Sequence, residues 1–409
     1  MAEGNDQVTR PRNVILCCDG TGNEFSTDRS NVLRLWRSLD READQLAYYD
    51  PGVGTLDDAR ALTRWRKLLF KRLDGAIGLS VRDNVLKAYA FLMQNWRDGD
   101  VVWLFGFSRG AYTVRALAGM LDWFGLVRAE HANVLPYLWN VYSDECGEIG
   151  AFDKRMRVAG GIRKTMGRAV RVHFLGAWDT VSSFGWIWRP RTLPETAKLG
   201  IVDHLRHAVA IDERRRCFVQ NLFTPQVRSA GVDDPTARSC VQMLFAGAHS
   251  DVGGGYPANE AGLAKVALEW MSGEAESMGL RFAAEDRRIE LHGKNGKEGP
   301  DPNGPMHNES KRIGWQIVEM LPSTRLAWSL TPVLALASIV LPIVGVLPWA
   351  TAGVGVVAVL ALRAVKCRLG RPRRFDRRIT RGVPMPPLEV HPSVGQRTGY
   401  RPPKLAPRT

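Results

Sequence analysis

The chain has 409 residues, 45% of them hydrophobic, enough for one large domain with additions or for two domains. Its six cysteines are scattered without a CxxC pair, which argues against a disulfide frame or a zinc site and for reduced, buried thiols. The net charge of +14 is uneven: from Arg363 onward 13 Lys or Arg face only Asp376 and Glu389, so +11 lies in the tail and +3 in everything before it.

Residues 1–12 are polar and charged; they read as a disordered N-terminus, with no signal peptide expected. Residues 13–18 form a short apolar run that ends in Asp19-Gly20-Thr21-Gly22-Asn23, a strand entering a glycine-rich loop. A helix is expected next, capped by Ser30 or Asn31. Residues 45–49 read as a second strand, 60–73 as a basic amphipathic segment and 80–96 as a helix. Asp98-Gly99-Asp100 turns the chain into a strand of five apolar residues, 101–105.

That strand runs into Gly106-Phe107-Ser108-Arg109-Gly110, a G-x-S-x-G pattern, and then into the small, apolar segment 112–121, which reads as a buried helix. Strand, tight turn with serine at the apex, helix is the nucleophile elbow of an α/β-hydrolase. The turn is so sharp that the positions two before and two after the serine must be small. Its product is a hydroxyl held clear of the sheet at the positive end of a helix.

Residues 128–168, rich in charge and glycine, are expected as a lid insertion. Residues 170–175 read as a strand ending in Gly176-Ala177-Trp178-Asp179-Thr180-Val181. Three aromatics in 184–189 suggest an apolar wall, and 203–217 reads as a helix. Residues 241–245 read as a strand ending in Ala246-Gly247-Ala248-His249-Ser250-Asp251-Val252, followed by Gly253, Gly254, Gly255 and Tyr256; 261–278 reads as a helix. The three glycines let backbone pass close to a site and are not a phosphate loop, because no Lys-Ser/Thr pair follows.

Strands alternating with helices predict an α/β fold with a mostly parallel sheet and helices on both faces. In such a sheet the strand ends share one edge, where ligands bind. Asp19, Ser108, Asp179 and His249 all sit in loops at strand ends and are expected to converge there.

Residues 326–362 contain no charge at all. As one helix they would be about 55 Å long, against roughly 30 Å for a bilayer core. Pro342 and Pro348 interrupt the run, with Gly345 and Gly353 beside them. Residues 326–365 therefore read as a transmembrane hairpin, with basic residues on both flanks placing both ends on the cytoplasmic face. The tail, 366–409, reads as juxtamembrane, with an anionic membrane surface as partner and no nucleic acid. The catalytic domain is assigned to 13–325, cytoplasmic, on an inner membrane.

The motifs DGTGN, GFSRGAYTVRALAGML, GAWDTV and AGAHSDVGGGY, in this order, resemble an α/β-hydrolase-like family that includes the catalytic domain of type VI secretion phospholipase effectors. Weaker echoes lie at Met306-His307-Asn308-Glu309-Ser310 and Val390-His391-Pro392-Ser393-Val394. The chain order Ser, Asp, His is that of α/β-hydrolases. Ser108 is the candidate nucleophile and His249 the general base, with His391 and His307 as rivals. Asp179 is expected to orient the imidazole, with Asp251 as rival. The N–H of Arg109 is one oxyanion donor and Gly20 or Thr21 the other; Asp19 holds the loop by hydrogen bonds. The resemblance implies a hydrolase of carboxylic esters, acting on lipid or phospholipid, without cofactor or metal. The alternatives are a silent membrane-bound scaffold and a metal-dependent hydrolase using Asp19, Asp179, His249 and Asp251.

Overall fold

The computed structural model describes residues 11–20, 28–42, 44–52, 75–143, 152–181, 184–186, 189–191, 193–194, 196, 199–215, 218, 220–223, 239–311 and 388–402. The expected segment 60–73, Thr21 and the hydrophobic run 326–365 lie outside these, as do most of residues 1–12 and residues 366–387 of the tail.

Seven strands form the sheet: β1 (Asn13–Cys18), β2 (Gln45–Asp50), β3 (Val101–Phe107), β4 (Val172–Trp178), β5 (Val202–Ala210), β6 (Ser239–Phe245) and β7 (Leu388–Val390). Their order is β7-β6-β5-β4-β3-β1-β2, and every neighbouring pair is parallel. Antiparallel pairing among the described residues lies outside this sheet, in two short ribbons, Leu126–Val127 with Gly167–Arg168 and Phe184–Trp186 with Arg189–Arg191, and in three isolated bridges. The helices are α1 (Asn31–Ser38), α2 (Gly75–Asn95), α3 (Arg109–Phe124), α4 (Leu135–Ser143), α5 (Phe152–Met166), α6 (His249–Gly253), α7 (Gly262–Ser277), α8 (Ala284–His292) and α9 (Pro392–Gln396).

The central strands β1, β3 and β4 are largely apolar because both faces are covered. In β1, Val14, Leu16 and Cys18 enter one core with residues of α2, α3, α4 and α5; Ile15 and Cys17 enter the other with residues of α1, α7 and α8. The period-two alternation thus feeds two cores, not one core and solvent. Helix α1 begins where Ser30 accepts a hydrogen bond from the Leu33 N–H, a side-chain N-cap.

Residues 128–168 build α4, α5 and one ribbon. Leu138, Trp139, Val141, Tyr142 and Ala159 join the core with Leu117 and Phe124 of α3. Trp123 of α3 meets Tyr142 and Phe152 edge-on at 5.4 and 5.7 Å. Where described, the expected lid insertion is a second helical layer over α3.

Two expectations are corrected. The helix expected over 203–217 is absent from its described residues: 202–210 form β5, a central strand between β4 and β6, and 211–215 are not helical. The strand pattern was hidden because it buries polar residues. Arg206 pairs with Glu274 of α7 at 2.5 Å, and His207 faces Gln242 of β6 at 3.1 Å. A helix-like spacing of apolar residues was the visible remainder. The second correction concerns the tail: residues 388–402 are not all juxtamembrane. Leu388–Val390 pair with β6, the His391 N–H continues to the Leu244 carbonyl, and Val394 packs on Val209 and Leu244. The Tyr400 hydroxyl donates to Asp212 at 2.7 Å, and Arg397 donates to the carbonyls of Pro302 and Gly304. A three-residue strand is too short for its periodicity to be read.

A chain ending at residue 387 should therefore fold less stably. Losing the burial of Val394 alone removes about 2 kcal/mol. A drop of about 2 °C or more in thermal midpoint is expected by differential scanning fluorimetry. An unchanged midpoint would show that β7 does not complete the sheet.

Candidate functional site

Ser108 sits between β3 and α3 with φ 57° and ψ −116°, the left-handed half of the map that a non-glycine residue adopts at a cost of about 1–3 kcal/mol. The neighbouring glycines make the turn. A Cβ on Gly106 would lie 2.5 Å from the Gly110 carbonyl oxygen, and one on Gly110 would lie 2.0 Å from the Cys18 carbonyl oxygen. The second residue of α3, Gly110, thus approaches the end of β1 more closely than any side chain permits. The Ser108 N–H is spent on the Trp178 carbonyl at 3.0 Å, tying the elbow to the end of β4.

Asp179 follows β4 directly, with φ 35° and its N–H on the Ala208 carbonyl of β5. Its Oδ1 accepts from the Ala210 N–H at 3.1 Å and its Oδ2 faces His249 Nδ1 at 2.6 Å. His249 opens α6 just beyond β6, and its Nε2 lies 2.8 Å from Ser108 Oγ. The ends of β3, β4 and β6, with β5 between the last two, thus place Ser108, His249 and Asp179 in one hydrogen-bonded line, all buried. A carboxylate only accepts, so Nδ1 carries a proton toward Asp179 and the Nε2 lone pair is left for the Ser108 hydroxyl.

The His249 ring is held between Phe107 at 4.6 Å and Phe218 at 4.8 Å, the latter edge-on. Burial pushes its pKa below the ordinary histidine value; the Asp179 carboxylate opposes this and Arg215 adds to it. The ring is therefore neutral at pH 7, the form able to accept a proton. The arrangement can take the hydroxyl proton and return it to a leaving group.

The other expected residues go elsewhere. Asp251, two residues after His249, accepts from the Ala248 N–H at 2.9 Å and from His307, at its N–H (3.0 Å) and its Nδ1 (2.7 Å). His391 stacks on Phe245 at 4.6 Å and pairs with Ser393. Neither His307 nor His391 takes the place beside Ser108 that His249 fills. Asp19 Oδ1 accepts from the Gly20 N–H at 2.6 Å; its Oδ2 accepts from Ser30 and, at 2.8 Å, from Tyr49. The Gly20 N–H is thus directed at the Asp19 carboxylate. Arg109 is the first residue of α3, whose first-turn N–H groups point out at the elbow end.

A metal set of Asp19, Asp179, His249 and Asp251 would need these oxygens and the imidazole turned to one centre. They face Ser30 and Tyr49, His249, Ser108 and His307 instead. Among the described residues no group of three or more His, Cys, Asp or Glu side chains could hold a metal ion.

Sequence reasoning missed the segment after β5. Glu213 accepts from the His249 N–H at 3.2 Å and from Arg215 at 2.6 Å, and the Arg215 guanidinium lies 3.7 Å over the Phe218 ring. The signal existed. Had 202–210 been read as a strand, Asp212 and Glu213 would have fallen at the same sheet edge as Asp179.

The family model for the catalytic domain of T6SS phospholipase effectors of the Tle1-like type matches residues 12–274. The uncharacterized protein YEL023C of Saccharomyces cerevisiae is 35% identical over 225 residues, 52% of this chain and 33% of that protein. The chain thus spans about a third of the length of that relative. Among solved structures, an uncharacterized protein from Pseudomonas aeruginosa aligns over 72% of this chain and 49% of its own, with 19% identity and TM-score 0.41. The Tle1 effector bound to the VgrG spike of the type 6 secretion system aligns over 62% of this chain and 52% of its own, with 17% identity and TM-score 0.33.

Gly253 offers a test of the site's packing. A Cβ there would lie 1.8 Å from the Phe107 ring, which itself lies against His249. Gly253→Ala should push that ring onto the imidazole and lower turnover by about 10²-fold, as misplacements of about 1 Å do. Steady-state kinetics beside a thermal melt measure it. Wild-type turnover in a folded variant would show that Phe107 does not set the ring position.

Proposed function

We propose a serine hydrolase that cleaves carboxylic esters, reading the site together with the fact that this chain belongs to the T6SS phospholipase effector Tle1-like catalytic-domain family. The observation that carries the reading is the hydrogen-bonded line from Ser108 Oγ through His249 to Asp179, at 2.8 and 2.6 Å. His249 Nε2 takes the Ser108 proton as Oγ attacks the ester carbonyl. Asp179 holds the ring in the required tautomer and stabilises the imidazolium that forms. The oxyanion is met at the N-terminus of α3, with the Arg109 N–H as one donor. Imidazolium then protonates the leaving alcohol, and water attacks the acyl-enzyme by the same route in reverse. The family name and the hydrophobic run together favour a lipid or phospholipid acyl ester as substrate.

The membrane part of the reading rests on sequence and on where the folded chain leaves and returns. No helix of the described residues is long and apolar enough to cross a membrane, and 326–365 lies outside them. On one side of that run, Glu309 accepts from the Tyr256 hydroxyl at 2.9 Å; on the other, β7 lies in the sheet. Both ends thus belong to one folded unit and must lie on one side of any bilayer, which a hairpin permits and a single span forbids. The basic flanks favour the cytoplasm for that side, with the basic residues of 363–381 against anionic lipid.

Ser108→Ala should lower ester turnover by about 10⁴-fold or more, and His249→Ala likewise, with the double variant no worse, because the groups act as a unit. A fluorophosphonate probe should label the wild type and not Ser108→Ala; absence of labelling in the wild type would favour a silent scaffold. Since His249 must be neutral to act, kcat/KM should rise with pH through a value below the ordinary histidine pKa. A rise centred above it would contradict the buried base.

The full chain should stay with membranes through high-salt and carbonate washes, and replacing 326–365 by a soluble linker should release it. Probe labelling at Ser108 should survive the replacement, while hydrolysis of bilayer lipid falls more than hydrolysis of a soluble ester. Release of the full chain by carbonate would remove the anchor from this reading.

A further inference from the structure

We propose that His307 is a positioning residue for His249, acting as an imidazolium clamp on the one-turn helix that carries it; this rests on the serine-hydrolase reading above. His307 lies in the segment Met306-His307-Asn308-Glu309-Ser310, which the reaction does not otherwise use.

The geometry is a chain of contacts. Asp251 sits on α6 two residues after His249, and its Oδ2 accepts from the Ala248 N–H, which closes the first turn of that helix. The same carboxylate takes the His307 N–H on Oδ2 and His307 Nδ1 on Oδ1. His307 Nε2 faces Glu260 Oε2 at 3.1 Å, from the turn before α7. Both ring nitrogens therefore point at carboxylates. Carboxylates accept and do not donate, so both nitrogens must carry protons, and the ring is a cation. Its face is stacked by Tyr256 at 3.7 Å and 21°, and the Tyr256 hydroxyl is fixed on Glu309. The groups facing His307 are thus Asp251 from α6, and Glu260 and Tyr256 from the loop between α6 and α7.

The physical reason for a clamp is the burial of Asp251, which is 1% exposed. Burial raises its pKa, and the donors from His307 and Ala248 work against that. Without the imidazolium the carboxylate is undercompensated, and it must take a proton or turn away from Ala248. Either change loosens the turn that aims His249 at Ser108. Burial opposes the charge on His307, but the hydrogen bonds to Asp251 and Glu260 prevail and raise its pKa above the ordinary histidine value.

The sign follows. His249 must be neutral, which sets an acid limb; His307 must be protonated, which sets an alkaline limb. On the full chain in detergent, with a short-chain 4-nitrophenyl ester, kcat of the wild type should fall on the alkaline side above the ordinary histidine pKa. His307→Ala should lower kcat by about 10²-fold at pH 7 with KM within about twofold. His307→Asn keeps a side-chain N–H for Asp251 without a titrating group. Lacking the charge, it should match the deprotonated wild type, with kcat at the wild type's alkaline level at every pH and no alkaline limb, and its thermal midpoint reports folding if His307→Ala does not fold. Glu260→Gln should move the alkaline limb to lower pH, because one of the two carboxylates holding the proton is gone.

The outcomes separate the two readings. Ester turnover that survives Ser108→Ala overturns the serine mechanism and this role with it. Turnover that depends on Ser108, but with the wild-type alkaline limb still present in His307→Asn, overturns the role of His307 alone. So does a rise in KM that matches the fall in kcat.

Discussion

The approach of α3 to the end of β1 governs this structure. Gly110 packs on the Cys18 carbonyl with no room for a Cβ, and Gly106 closes the turn from the other side. That contact forces Ser108 into a positive φ and lifts its hydroxyl off the sheet edge. The strain is held because α3 is buried along nearly its whole length, from Gly110 to Phe124, between the sheet and the layer of α4 and α5. A costly local conformation thus persists where the surrounding core over-determines it.

Several charged groups around the elbow and in the layers beside it are buried and paired. Arg115 of α3, fully buried, has its pKa lowered to about 9 by desolvation and donates to the carbonyls of Thr196 and Asn221 and to the Asn221 side chain. It pins the segments that follow β4 and β5 against the elbow helix. Glu290 of α8 gathers Arg29, Arg34 and Arg37, which ties α1 to α8 within the layer on the other face of the sheet from α3. Asp19 gathers Gly20, Ser30 and Tyr49 at the sheet edge. Such networks cost little when satisfied and much when half-satisfied, which favours one arrangement of the loops.

The sheet is finished by a strand that arrives last. β7 follows β6 by more than 140 residues in sequence, with the hydrophobic run between them, yet it lies in register beside it. The tail then reaches Asp212, whose carboxylate also receives the Gly247 N–H two residues before His249. Chain beyond the hydrophobic run therefore bears on the loop that leads to His249.

By itself the sequence determined the α/β class, the elbow and the residues that meet at the sheet edge. Each of these rests on local chemistry: apolar runs for doubly covered strands, small residues flanking Ser108, and polar residues immediately after strand ends. It marked Asp179 and His249 but left Asp251, His307 and His391 as rivals, because a side chain's partner depends on which strands are neighbours. Only the tertiary structure decided that β4, β3 and β6 lie close enough to join these three residues and that Asp251 turns to His307. It also decided that 202–210 is a strand and that 388–390 completes the sheet. Arg206 and His207 are polar residues whose burial is tolerable only beside Glu274 and Gln242, and those partners lie far along the chain. Local pattern carries the information for a turn; pairing over such distances is fixed by packing alone.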